Sequence, residues 1–248
     1  MAGEKALLHR SRLYERYVSS GQAGAGAEPM DRLPQRDAYF RKLIRDHFPA
    51  DRDARILDLG CGHGALLAYC QSLGYRSLEG VDASAEQIAV GHRRGLEKLV
   101  QGDLLGYLRA TPRGSLDVVV AFDVLEHFTR SEIFEIIQEI WEVLAPGGRF
   151  VMHSPNGESP FFGATLYGDF THELAFHRAS LSQISRTIGF SSLYCVEDKP
   201  VVRGFVSMVR RLLWEILRQF FVFATAVETG GYDRSAIFTR NLLAVHVK

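Results

Sequence analysis

The sequence predicts an α/β fold: a mostly parallel sheet with helices on both faces. Three observations carry that expectation. From Arg55 onward, short apolar runs alternate with segments of helical periodicity. The stretch RILDLGCGHGA at 55–65 puts a glycine-rich turn directly behind an apolar strand. Ser84 with Gln87, and Thr129 with Glu132, open helices at capping-box spacing. Strands that alternate with helices in this way build a sheet covered on both faces.

The elements follow in order. Residues 1–20 read as a short amphipathic helix, and 21–29, GQAGAGAEP, as a loop. Within 34–48, Tyr39, Leu43 and Phe48 recur at roughly helical spacing and predict a helix leading into the main domain. RILDL (55–59) is the first strand and Ala65–Leu73 a helix. SLEGVD (77–82), KLVQGD (98–103) and the valine-rich LDVVVAF (116–122) are the second to fourth strands. The helix after Thr129 gathers Ile133, Ile136, Ile137, Ile140, Trp141 and Leu144 on one face, and APGG stops it. GRFVMHS (148–154) is the fifth strand. Ser180 and Gln183 cap a short helix that ends at Gly189. SSLYCVE (191–197) and NLLAVHV (241–247) are the sixth and seventh strands.

Two segments break the alternation. Residues 155–179 form a long connection rich in aromatic and polar groups, a length that often serves function. Residues 201–227 form an extra helix. No linker divides the chain, so 1–248 is expected as one domain, with N-terminal helices over 1–50.

Composition narrows the function. The 248 residues carry 29 basic and 29 acidic side chains, a balance that argues against a dedicated nucleic-acid binder. Cys61, Cys70 and Cys195 form no CxxC pair and read as reduced thiols of a cytoplasmic protein. No apolar run approaches the ~18 residues of a membrane span.

Gly60-x-Gly62-x-x-Ala65 formally matches a dinucleotide-binding turn. Asp58, at the end of the first strand, argues otherwise: a carboxylate there repels pyrophosphate and favours an ammonium or sulfonium group. Asp82, ending the second strand, suits ribose hydroxyls. Asp103, ending the third, suits an adenine amino group.

With ILDLGCGHG (56–64), GVDAS (80–84), QGDL (101–104), DVVVAFDVLEHF (117–128) and LAPGGRFV (144–151) in that order, the chain resembles the class I S-adenosylmethionine (SAM)-dependent methyltransferases. The resemblance covers about residues 40–196 and extends to the terminal strand. It implies a Rossmann-like seven-stranded sheet with the last strand antiparallel, and SAM across the carboxyl ends of its first half. It implies Gly60 and Gly62 beside the methionine part of SAM, with Asp58 near its amino group. Asp82, with Ala83 next to it, would meet the ribose. Asp103 and Leu104 would contact adenine, and Phe122 and Asp123 would face the sulfonium side. An NAD-linked oxidoreductase and a non-catalytic SAM-binding scaffold are the competing classes.

A hydroxyl acceptor needs a base as well as alignment. His172 beside Glu173 is the first candidate, within GDFTHELAFH, and His127 the second. The plainer role for His172 is to cap its loop. Asp169, His172, Glu173 and His177 match no zinc spacing, so no metal is expected. FDVLEH stands where relatives that methylate base amino groups often carry an Asn/Asp-Pro-Pro-Tyr/Phe turn, which implies O-methylation. DFTHELAFHRASL, the extra helix and ETGGYDRSAIFTRNLLAV resemble bacterial methyltransferases of cell-surface polysaccharide synthesis. That implies a sugar hydroxyl on a glycan or on its nucleotide- or lipid-linked precursor. The alternative acceptor is a phenolic or quinone-type small molecule.

In the extra helix, Val209, Leu212, Leu213, Ile216, Leu217 and Phe220 share one face, with Arg203, Arg210, Arg211 and Arg218 away from it. The simplest expectation packs the apolar face on the sheet and leaves the charges in solvent. Docking on an anionic membrane at its inner face, contact with a phosphate-bearing substrate, and a homodimer are the sharper readings.

Overall fold

The computed structural model describes residues 34–248. The helix and loop expected over 1–29 lie outside the described residues. Helix α1 (Pro34–His47) leads into β1 (Arg55–Leu59), α2 (Ala65–Ser72), β2 (Ser77–Asp82), α3 (Ala85–Arg93), β3 (Leu99–Gln101), α4 (Leu104–Ala110) and β4 (Leu116–Phe122). After a single turn of 3-10 helix at Leu125–His127 come α5 (Arg130–Val143), β5 (Leu144–Pro155), α6 (Phe162–Leu166) and α7 (Arg178–Ile188). β6 (Ser192–Glu197), α8 (Phe205–Thr229) and β7 (Asn241–Val247) complete the chain.

The seven strands run in the order β3-β2-β1-β4-β5-β7-β6, with β7 antiparallel to both neighbours and the other pairings parallel. The chain winds outward from β1 to β3, then returns to place β4 on the other side of β1. That reversal leaves a crevice at the carboxyl ends of β1 and β4, where such sheets bind ligands. The valine run of β4 is explained by burial on both faces: Val118, Val119 and Val120 are all inaccessible.

Two apolar layers seal the sheet. On one side Phe40, Ile44, Leu67 and Ile88 pack from α1, α2 and α3. On the other, Leu108 of α4, Leu181 of α7 and the isoleucines of α5 pack against Val119 and Phe150. All four isoleucines expected on the inner face of α5 are buried. Thr129 and Glu132 make the full capping box at its start.

Three local expectations change. APGG does not separate α5 from a later strand, because β5 begins at Leu144 and carries the glycines within its irregular first part. The last short helix is capped by His177, whose Nδ1 accepts from the Ala179 N–H at 3.0 Å, while Ser180 sits inside the first turn. Gly189 does end it, in the left-handed conformation (φ 109°).

The third change is the orientation of α8. Arg211 bonds Glu215, and Arg218 bonds Glu197 of β6 at 3.0 Å and the carbonyls of Arg234 and Ala236. These arginines therefore face the domain, and Val222 and Trp214 join them there in a small satellite core with Phe238. The apolar face points outward. A buried Glu197 carboxylate fixes this arrangement, because it needs cations and α8 supplies one.

Replacing Ile137 with alanine should cost about 2–5 kcal/mol in urea unfolding, since the fully buried side chain leaves a cavity in the α5 layer.

Candidate cofactor and acceptor site

The glycine turn behind β1 is shaped by backbone demands. Gly60 has φ 65°, and a Cβ on it would stand 2.2 Å from Cγ2 of Val124. Gly62 has φ 54° and donates its N–H to Asp82 Oδ2 at 2.8 Å. The other Asp82 oxygen accepts from the Ser84 N–H at 2.8 Å, just before α3. One carboxylate thus ties the ends of β1 and β2 together and holds the turn open. Burial raises its pKa, and the two N–H groups oppose that rise.

Asp58 is buried, and no side-chain hydrogen bond reaches it among the described residues. Burial, and then the charge of Asp82, push its carboxyl up to about 8. Such a group is short of a cation. Asp82, Asp58 and Asp123 follow one another along the carboxyl ends of the adjacent strands β2, β1 and β4. A row of carboxylates suits a ligand carrying an ammonium and a sulfonium and repels one carrying a pyrophosphate. SAM is such a ligand, and these residues fit it.

The other expected contacts are modified by the fold. Ala83 is exposed beside Asp82. Asp103 caps α4 through Oδ2, which accepts from the Gly106 N–H at 2.8 Å. Leu104 turns its side chain into the core, which leaves its backbone for the contact with adenine that the resemblance implies. Phe122 stacks on His153 with centroids 4.2 Å apart and meets Tyr39 and Phe40 of α1. Asp123 has φ 57°, the one positive φ outside glycine among the described residues. Its strained backbone aims the carboxylate at His153, with Oδ1 2.5 Å from Nδ1.

His153 and Asp198 form a pair that sequence reasoning passed over. His153 Nε2 lies 3.3 Å from Asp198 Oδ2, so the ring sits between two carboxylates. Burial opposes its charge, but Asp123 and Asp198 outweigh burial and raise its pKa to about 10. The sequence shows the histidine at a strand end. It cannot show that a residue 45 positions later closes on the same ring.

On the acceptor side, the 155–179 connection folds back over the turn after β4. Asn156 donates to the carbonyls of Ile237 and Thr239, and Arg178 binds Glu158, Asp233 and Ser235. The N–H groups of Glu173 and Leu174 both donate to the Glu126 carbonyl. These bonds bring His172 against His127, with ring centroids 4.7 Å apart.

The hydrogen bonds assign the tautomers. The Thr165 carbonyl only accepts, so His172 carries its hydrogen on Nδ1, 3.0 Å away, and keeps its lone pair on Nε2. Thr171 donates to Asp169 at 2.6 Å and therefore accepts from His127 Nδ1 at 2.8 Å. Burial, with the nearby His172, lowers the His127 pKa to about 4, so that ring is neutral. Glu173 does not orient His172 as expected. Its side chain is exposed, and the Thr165 carbonyl takes that role.

Glu126 is buried and accepts from Ser154 Oγ at 3.1 Å. Burial, then the charge of Asp123, raise its carboxyl pKa. Ligand atoms of Glu126, His127 and His172 all lie within 4.8 Å of one another. This set differs from the Asp169–His172–Glu173–His177 grouping weighed from the sequence, since His177 is committed to capping α7.

Comparison with known proteins agrees with the geometry. Residues 56–148 match the family model described as a methyltransferase domain. A ubiquinone biosynthesis O-methyltransferase of Chelativorans sp. (strain BNC1) is 32% identical over 145 residues, 54% of this chain and 56% of that protein. The chain thus spans a little over half the length of the curated relatives it matches. A SAM-dependent methyltransferase from Archaeoglobus fulgidus superposes with a TM-score of 0.65 at 22% identity, covering 86% of this chain and 92% of that one. Haemonchus contortus phosphoethanolamine N-methyltransferase 2, in complex with S-adenosyl-L-methionine, gives 0.60 at 17% identity, covering 85% and 52%.

Asp82→Ala should weaken SAM binding by roughly tenfold or more in titration calorimetry, because two N–H groups of the turn lose their acceptor. The His153 ring should titrate near pH 10 by NMR, far above an ordinary histidine, and Asp123→Asn should lower that midpoint. Its raised pKa makes the ring's contribution to stability complete below pH ~6.5 and lost as pH climbs through about 10.

Proposed function

We propose that this chain, a class I SAM-dependent methyltransferase with SAM as its cofactor, methylates a hydroxyl group on a phenolic, quinone-type small molecule. SAM supplies an electrophilic methyl on a sulfonium. The protein's own work is to hold that group, align the acceptor and take its proton.

The observation that carries the acceptor class is the paired, hydrogen-bond-oriented imidazoles of His127 and His172 over the turn after β4. His172 Nε2 is the proton acceptor in this reading. The Thr165 carbonyl holds the ring, and a Glu126 carboxyl oxygen lies within 4.8 Å of the pair. A phenol gives up its proton far more readily than an aliphatic alcohol, so an uncharged nitrogen base is enough to help it. An aliphatic sugar hydroxyl is a much weaker acid and is served poorly by the same base. The relatives named ubiquinone biosynthesis O-methyltransferases support the same choice over the glycan hydroxyl expected from the sequence.

Glycine turn and carboxylates hold the cofactor in this reading. Asp58 answers the amino group of the methionine part, and Asp82 offers its remaining lone pairs to the ribose. Asp123 stays turned to His153, so a compact ion pair, rather than a loose carboxylate, borders the sulfonium side.

Purified protein given SAM with a small ortho-dihydroxy aromatic acid or with a sugar nucleotide separates the two acceptor classes by mass spectrometry. An O-methylated phenol is the expected product, and a methylated sugar alone would overturn the reading. His172→Ala should lower kcat by roughly 100-fold with SAM affinity unchanged. Full activity would remove His172 from the chemistry.

A further inference from the structure

The outward face of α8 is unlike the rest of the surface. The helix is 25 residues long. Phe205, Leu212, Leu213, Ile216, Phe220 and Phe223 share that face, and each is more than half exposed. Val206 and Val227 widen it. No charged side chain interrupts the face, because Glu215 accepts from Arg211 and Lys199, and Arg218 donates to Glu197, on the domain side. Soluble monomers rarely leave a contiguous apolar surface of this extent uncovered.

The surroundings say what covers it. Residues 199–234 hold six cationic side chains against three carboxylates, in a chain whose basic and acidic side chains balance overall. Arg203 precedes the helix and Arg210 borders the apolar face, both reaching solvent. Aromatic groups continue the surface at its side. Phe161 of the acceptor-side connection packs against Phe221 of α8 with ring centroids 5.9 Å apart. Tyr167 and Phe170 of the same connection are 81% and 90% exposed. A protein partner would demand hydrogen-bonding groups around an apolar centre. A stripe of aliphatic and aromatic side chains with cations at its border is the composition of a helix lying in a lipid interface. No helix among the described residues is long and apolar enough to cross a membrane, so α8 would lie flat.

Topology sets which way the protein would then face. β6 enters α8 from the carboxyl edge of the sheet, and β7 leaves from the same edge. The crevice after β1 and β4 opens on that edge too.

We infer that α8 docks on an anionic lipid surface, its apolar face in the interface and its flanking arginines at the headgroups, which turns the acceptor side of the domain toward the membrane. The inference does not depend on the identity of the acceptor.

Co-sedimentation of the full chain with vesicles tests it without any activity measurement. The probes are phosphatidylcholine alone and phosphatidylcholine with about one-third phosphatidylglycerol, each at low and high salt. Binding to the anionic vesicles is expected, weakened by salt, with the double variant Leu213→Glu/Ile216→Glu binding roughly tenfold less or worse. Both sites are exposed, so thermal melting and SAM titration should match the parent protein. If that variant does not fold, Arg203→Glu/Arg210→Glu reads the electrostatic part alone, with the same expected direction. No vesicle binding, or binding that neither variant weakens, overturns the inference. So does a dimer in light scattering that the double variant dissolves while vesicles go unbound, since the face would then belong to a second copy. A failure here leaves the methyltransferase reading intact, because SAM affinity is measured on the same samples.

Discussion

Parallel pairing of β1 with β4 in the middle of the sheet is the constraint on which everything else rests. It forces the chain to wind outward in both directions from one seam, and it brings every parallel strand's carboxyl end to one edge. Asp58, Asp82, Asp123 and His153 are neighbours for that reason, although nearly a hundred residues separate the first from the last. Burial of Val118, Val119 and Val120 on both faces stabilises the seam, and the two apolar layers lock helices over it.

Electrostatics at that edge are deliberately uneven. Asp82 is satisfied by backbone N–H groups and Asp123 by an imidazolium, whereas Asp58 has burial without a hydrogen-bonding partner among the described residues. An uncompensated carboxyl is costly in a folded protein and is retained where a cationic ligand completes it. The same reasoning separates this turn from a dinucleotide site that its glycines alone would allow. The acceptor side works by a different device. Asn156 and Arg178 stitch a long connection to the segment before β7, and the stitched connection presents His172 to His127.

Helix α8 shows how one buried charge can reverse an amphipathic pattern. The usual arrangement would turn leucine inward and arginine outward. Here Glu197 is buried at the end of β6, and Arg218 and Lys199 both reach it. Taking the Arg218 partner from this desolvated carboxylate would cost more than exposing the aliphatic stripe, particularly if a lipid surface receives that stripe. Membrane contact and a lipophilic quinone-type acceptor would then be consistent with each other, each resting on separate observations.

Local sequence determined much of the molecule. Most strand positions and the longer helices from Arg55 onward followed from period and capping, because burial on two faces or one leaves its mark on every residue, whereas the short helices α4 and α6 and the start of β5 did not. The glycine turn and the acidic strand ends were legible for the same reason: a φ near +60° or a charge behind an apolar run is a local feature. Tertiary structure decided the rest. His177 became a cap because its ring meets a backbone N–H two residues on, a choice made by the fold of the connection. The His153–Asp123–Asp198 cluster and the outward face of α8 join groups far apart in the chain or on opposite sides of a helix, and the Thr165 carbonyl meets His172 only through the fold of the connection. Periodicity states that a helix has an apolar face. Which way that face turns depends on the charge waiting beneath it, and no local pattern records that charge.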